Sequence, residues 1–242
     1  MSRMSVMGRV TRLPAIALLA CLTGGGLSGC AGTTTGTALP AAPVPSTTAD
    51  ALPSLLLSAA DIGATVGAET VVTREVRAPW NDATHFQGPD ESGCLAIAGA
   101  AQRSVYADSG WIALRGQVLR EPPGSPQWSH FITQAVVLFP TAAAAQLFFT
   151  QSQTGWASCA DRQLSYTQPP APDQIWSVGR VSSERDLLTV SRSERSPQDW
   201  SCQRALSVRS NVAVDVEACS LAGPTTAAAA IAEAIGVRLP AA

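Results

Sequence analysis

Four cysteines, Cys94, Cys159, Cys202 and Cys219, follow a leader-like N-terminus in this chain of 242 residues. Arg3, Arg9 and Arg12 make a basic, acid-free start, Leu13 to Leu22 is apolar, and small residues come next. That is the anatomy of a secretory signal. The apolar run is too short to span a bilayer stably. Export puts the four cysteines in an oxidising compartment, where an even number defaults to two disulfides. Two cross-links restrict the fold more than any other feature. Zinc is the other use of four cysteines, but no C-x-x-C pair occurs and the spacings are wide, so no metal and no cofactor is expected.

The leader ends in Leu27-Ser28-Gly29-Cys30, which resembles the lipobox of bacterial lipoproteins. The resemblance implies that the Cys30 thiol carries a diacylglycerol and becomes the first mature residue. Each buried acyl methylene contributes about 0.8 kcal/mol, so two or three chains anchor stably. Residues 1–29 are then a signal peptide and 30–53 a lipidated, Thr/Ala/Pro-rich tether. Residues 54–242 form one domain, held at the cell membrane and facing away from the cytoplasm. Three of the 16 basic residues leave with the leader, so 13 Arg face 18 acids, a net of −5. That balance argues against nucleic acid as a partner.

Ser58 before Ala59 and Gly67 after Val66 predict a short helix over 59–66. Residues 70–76 are rich in β-branched side chains and predict a strand. A long loop over 78–93 holds Trp80, His85 and Phe86, and a helix is expected from Cys94 to about Tyr106. Alternation over 111–119 predicts a half-buried strand. Residues 131–139 are apolar on both parities, as in a central strand. Thr141 caps a helix to about Gln153. Strands follow over 163–167, 176–181, 187–192, 201–209 and 212–216, and Pro224 opens a closing helix to about Ile235. Clustered strands without helical crossovers predict an α+β domain: a mainly antiparallel sheet with helices packed on it.

The sequence holds no G-x-S-x-G, H-E-x-x-H or G-x-x-x-x-G-K, so no catalytic residue is assigned. Only His85 and His130 would serve a His-dependent hydrolase, the least favoured reading. Gln134 shares parity with Ile132 and Val136, and Arg204 with Leu206 and Val208, so both should point into apolar surroundings. A buried Arg needs a partner. Arg204 is therefore either a structural residue paired to a carboxylate or a cleft residue that meets a polar or anionic ligand. Trp156 and Trp200, close to Cys159 and Cys202, either pack on the disulfides or wall the same cleft. Arg204, Gln134, Trp156 and Trp200 are the candidate ligand-binding residues.

Residues 131–149 (FITQAVVLFPTAAAAQLFF), Trp156-Ala157-Ser158-Cys159, and the run from Trp200-Ser201-Cys202-Gln203-Arg204-Ala205-Leu206 through Asn211-Val212 to Cys219 carry a resemblance. So do Leu55-Leu56-Leu57-Ser58-Ala59-Ala60-Asp61-Ile62 and Tyr106-Ala107-Asp108-Ser109-Gly110. Together they resemble the PknH-like extracellular sensor domain of mycobacteria, over about 52–239. The resemblance implies an α+β fold with two disulfides and a cleft for an unidentified ligand, without catalytic residues. It implies a small molecule or envelope component as partner, with a membrane signalling protein as a candidate receiver. The alternative is an envelope structural or interaction lipoprotein with no small ligand.

Of the three pairings that four cysteines allow, Cys94 with Cys159 and Cys202 with Cys219 is expected. Cys202 and Cys219 are equidistant from the turn-prone Ser210-Asn211, and a hairpin there sets them opposite each other. Cys94 opens one predicted helix and Cys159 follows another, so their bridge would tie two helices over the sheet.

Overall fold

The computed structural model describes residues 46–80, 85–86, 91–126, 128–167, 173–196 and 199–240. Cys30, the signal peptide and most of the tether lie outside the described residues, as does the side chain of His85. The strands are β1 Val71–Val76, β2 His85–Phe86, β3 Ala113–Arg120, β4 His130–Leu138 and β5 Gln163–Thr167. They continue with β6 Gln174–Val178, β7 Ser182–Glu184, β8 Leu187–Glu194, β9 Ser201–Arg209 and β10 Val212–Ser220. All join one sheet in the order β1-β3-β4-β10-β9-β8-β6-β5-β2, with β7 beside β8. Every pairing is antiparallel.

Helices cover both faces. On one face lie α3 Leu95–Ala98, α4 Arg103–Tyr106 and α5 Ala142–Ala157, packed through Ile97, Tyr106, Phe148, Phe149 and Trp156. On the other lie α1 Leu52–Leu55, α2 Ala59–Val66 and α6 Ala227–Gly236, packed through Leu52, Leu55, Ile62, Ile231 and Ile235. This explains why β4 and β10 are apolar on both parities: neither face of the central sheet meets water. All nine residues of β10 are buried.

Local sequence sets several element ends. Ser58 accepts from the Asp61 amide while Asp61 accepts from the Ser58 amide, a capping box that starts α2. Gly67, at φ +74°, ends it in the left-handed region that glycine tolerates best. Thr141 caps α5 through the Ala144 amide. The β9–β10 hairpin turns at Ser210, so Arg209 pairs with Val212 and Cys202 lies opposite Cys219.

The structure links Cys202 to Cys219 across that hairpin and Cys94 to Cys159 between the turn before α3 and the end of α5. Two expectations need correction. The stretch 46–53, read as the end of the tether, belongs to the fold. The Thr47 amide donates to Asn211 Oδ1 at 2.8 Å, Asn211 Nδ2 donates to the Thr47 carbonyl, and Leu52 is fully buried. Low apolar content hid a short segment whose anchor is a distant side chain. The single helix expected from Cys94 to Tyr106 is broken: Gly99 is extended and Ala101 is left-handed at φ +55°. The Ala101 amide donates to the buried Asp215 carboxylate at 2.9 Å, and its carbonyl accepts from the Trp80 amide. Tertiary bonds hold a conformation that costs roughly 1–3 kcal/mol for a residue other than glycine.

Candidate functional site

The alternation of β8, β9 and β10 puts Arg192, Arg204, Asp215 and Glu217 on one face of the sheet, under α3. Arg204 donates to Asp215 Oδ1 at 2.7 Å, to the Ala96 carbonyl at 3.1 Å and to the Val216 carbonyl. Its guanidinium lies 5.3 Å from the Trp156 ring centre. Arg192 pairs with Glu217, donates to the Ala98 carbonyl and the Tyr166 hydroxyl, and stacks 4.6 Å from the Trp176 ring. The carbonyls at the end of a four-residue helix have no partner within it. Both arginines therefore satisfy the end of α3 as well as a carboxylate. Tyr106 donates to Asp215 Oδ2 at 2.9 Å; burial and the neighbouring Asp215 carboxylate push its hydroxyl well above the usual phenol range. Burial likewise pushes the Tyr166 hydroxyl up to about 12.

These pairs fix Ala98, Gly99 and Gln102, which form one wall of a cleft of about 600 Å³. The β1–β3 edge lines it with Arg74, Val118 and Arg120, and Trp80 and Trp128 line it as well. Trp80 is clamped through its indole N–H to the Ala100 carbonyl at 2.8 Å. The Arg74 guanidinium lies 5.5 Å from the Trp80 ring centre, and that of Arg120 lies 5.6 Å from Trp128. Arg74 points here because the register shifts between Val72 and Arg74. A bulge at Thr73 moves the next side chain to the other face of the sheet. Arg74 thereby faces the same side as its register partner Val118 and, two residues on, Arg120. Neither guanidinium forms an ion pair with a described residue. Gln102 is 6% exposed, and its side-chain carbonyl oxygen accepts no hydrogen bond from a described residue. Gly99 makes room for it: a Cβ at residue 99 would sit 2.4 Å from Gln102 Nε2.

The residues nominated from sequence fall elsewhere. Arg204 is 2% exposed and paired, so it meets no cleft ligand. Gln134 is fully buried on the opposite face of the sheet. Its amide group donates to the Leu57 carbonyl at 2.9 Å and to Gln117, and accepts from the Leu57 amide at 3.0 Å. It fastens the segment after α1 to β4. Arg204 and Gln134 therefore cannot line one cleft. Trp156 is 1% exposed beneath Arg204. Trp200 is half-buried and packs against Trp128 with ring centres 5.5 Å apart and planes tilted by 57°, supporting the cleft wall without lining it. The lining residues Arg74, Trp80, Gln102, Arg120 and Trp128 were missed. The bulge that aims Arg74 and the break that places Gln102 leave no sequence signal, whereas Trp80 and Trp128 in polar stretches were a usable one.

Two other clusters bring chemistry-bearing side chains together. Cys202, Cys219 and Glu217 lie together, but the sulfurs are joined in the disulfide and the carboxylate holds Arg192, so no donor set remains for a metal. His130 Nδ1 lies 2.7 Å from Glu121 Oε1 and 3.3 Å from Ser129 Oγ, whose hydroxyl also meets Glu121 at 2.8 Å. Serine and carboxylate share one ring nitrogen, whereas a nucleophilic triad needs them on opposite nitrogens. Partial burial would raise the Glu121 carboxyl, but hydrogen bonds from His130 and Ser129 outweigh it and hold the group at about 2.

Residues 47–238 match the family model of the PknH-like extracellular domain. The serine/threonine-protein kinases PknH of Mycobacterium bovis and Mycobacterium tuberculosis are each 32% identical over 169 residues, 69% of this chain. The match spans 27% and 26% of their own lengths, so this chain is similar to about a quarter of each kinase. The crystal structure of the extracellular domain of PknH from Mycobacterium tuberculosis superposes with a TM-score of 0.73 at 30% identity, covering 80% of this chain and 97% of that one.

Proposed function

Because the chain belongs to the PknH-like extracellular domain family, we propose that it is an exported, sensor-type module that binds a small ligand without converting it. The binding site in this reading is the cleft between Arg74, Trp80, Gln102, Arg120 and Trp128. The observation that carries it is the unpartnered side-chain oxygen of the buried Gln102 at the cleft wall. Leaving a buried acceptor unbonded costs roughly 1–3 kcal/mol, a cost that a ligand donor removes by drawing the Gln102 side chain out to the cleft surface. The cleft volume lies in the range of small-molecule sites. In the same reading Cys30 carries the lipid that holds the domain outside the cell, and any signal passes to a separate membrane protein.

The test uses native protein and the low-molecular-weight fraction of the cell envelope. Hydrogen exchange of residues 98–103 and 73–80 should slow when the fraction is added. Unchanged exchange at both segments would remove the cleft as the site. For the anchor, wild-type protein should partition into detergent with an acyl mass on Cys30, and Cys30→Ala should not. Detergent-phase protein with an unmodified Cys30 would remove the anchor.

A further inference from the structure

We propose that the ligand of this cleft is a small organic anion, a phosphate or carboxylate, with O–H or N–H donors on the part that faces the inner wall. The inference rests on the cleft being the ligand site and adds the chemistry of the ligand.

The cleft is polar in a directed way. Its β-edge carries two guanidiniums, Arg74 and Arg120, on one face of neighbouring strands. Like charges placed this close repel, and no described carboxylate relieves them. Each lies over an indole, which attracts the cation and limits its motion without using its N–H donors. Two forks lining one cavity, with no ion-pair partner among the described residues, suit the oxygens of a phosphate or carboxylate. The inner wall has the opposite character. Gln102 Oε1 is an acceptor without a donor among the described residues. Glu217, also at this wall, gives one carboxylate oxygen to Arg192. Acceptors inside and donors at the edge fix the orientation: anionic group toward β1–β3, hydroxyl or amine toward Gln102. Trp80 and Trp128 supply apolar sides for the carbon skeleton between them.

Glycerol phosphate, glycerate and glycerol share one hydroxylated skeleton and differ in the anionic group. The full-length protein is titrated with each at millimolar concentration while amide NMR shifts are followed. The two anions should shift residues 73–75, 98–102 and 118–120 saturably, about tenfold or more tighter than glycerol. Which anion binds tighter separates phosphate from carboxylate ligands. Added salt should weaken both. Arg74→Gln and Arg120→Gln should each weaken the anions severalfold and leave glycerol unchanged, while Gln102→Met should weaken all three. Both arginines are exposed, so these variants keep the fold. Equal binding of glycerol and the anions, or unchanged affinity in both arginine variants, overturns the anionic class and leaves the cleft reading standing. Absence of cleft shifts with all three probes also overturns this proposal, and the envelope-fraction experiment then decides the cleft reading separately.

Discussion

Replacing Arg204 by Met separates a structural arginine from a ligand-binding one. The substitution keeps an unbranched apolar stem but leaves the Asp215 carboxylate, 3% exposed, without its counter-charge. Breaking a buried pair from one side costs about 3–5 kcal/mol. Asp215 keeps two donors, the Ala101 amide and the Tyr106 hydroxyl, which places the expected loss near the lower end, at about 3 kcal/mol. The Ala96 and Val216 carbonyls also lose their donor. For a domain of ordinary stability, about 5–15 kcal/mol, that is a large fraction. The assay is urea unfolding of wild type, Arg204→Met, Asp215→Asn and the double variant. The double variant should lose less than the sum of the single variants, because no lone buried charge remains. Hydrogen exchange of the Ala101 amide should quicken in Arg204→Met, since α3 and the cleft wall depend on the pair. A loss below about 1 kcal/mol, the scale of an exposed ion pair, would refute this reasoning and mean that the pair does not hold Asp215 and α3 in place.

Three further outcomes follow from the same geometry. Gln102→Met removes an unbonded buried acceptor, so the unliganded protein should gain about 1 kcal/mol, or about 2–4 °C in Tm; a loss of stability would mean that Gln102 holds the fold. Glu121 is depressed to about 2 from its ordinary 4.5 by the bonds to His130 and Ser129, so its contribution is complete above about pH 4.5 and declines as pH falls toward 2. The urea unfolding midpoint of Glu121→Gln should accordingly fall less between pH 4.5 and 2 than that of wild type; equal slopes would contradict the pairing. Replacing Cys202 and Cys219 together by Ser should cost about 3 kcal/mol from the closure of their 17-residue separation, measured by urea unfolding, and a neutral result would mean that the hairpin is fully held by its ladder.

The sheet was legible where local chemistry and tertiary structure agree. Ser58, Asp61 and Gly67 delimit α2 by capping, and the Ser210-Asn211 turn fixes a register that sets Cys202 opposite Cys219. Parity correctly placed Gln134 and Arg204 against apolar surroundings, but it says nothing about which of two covered faces each residue meets. Here they meet opposite ones. The cleft was not legible because its parts arise from exceptions to periodicity. A bulge at Thr73 turns Arg74 inward, and a left-handed Ala101, held by Asp215 from more than 100 residues away, breaks a helix and presents Gln102. Both depend on contacts remote in sequence. Departures of this kind gather at functional positions, because they persist only where the surrounding fold holds them.

The central claim is that this cleft holds a ligand in the native protein. Native mass spectrometry of protein purified from its own membrane, as wild type and as the Arg74→Gln/Arg120→Gln double variant, tests it most directly. A discrete bound mass of small-molecule size, anionic on release, should be present in wild type and absent from the folded double variant. A wild-type protein that carries no such mass would contradict the cleft reading, and a double variant that retains the mass would overturn the anionic class of the ligand.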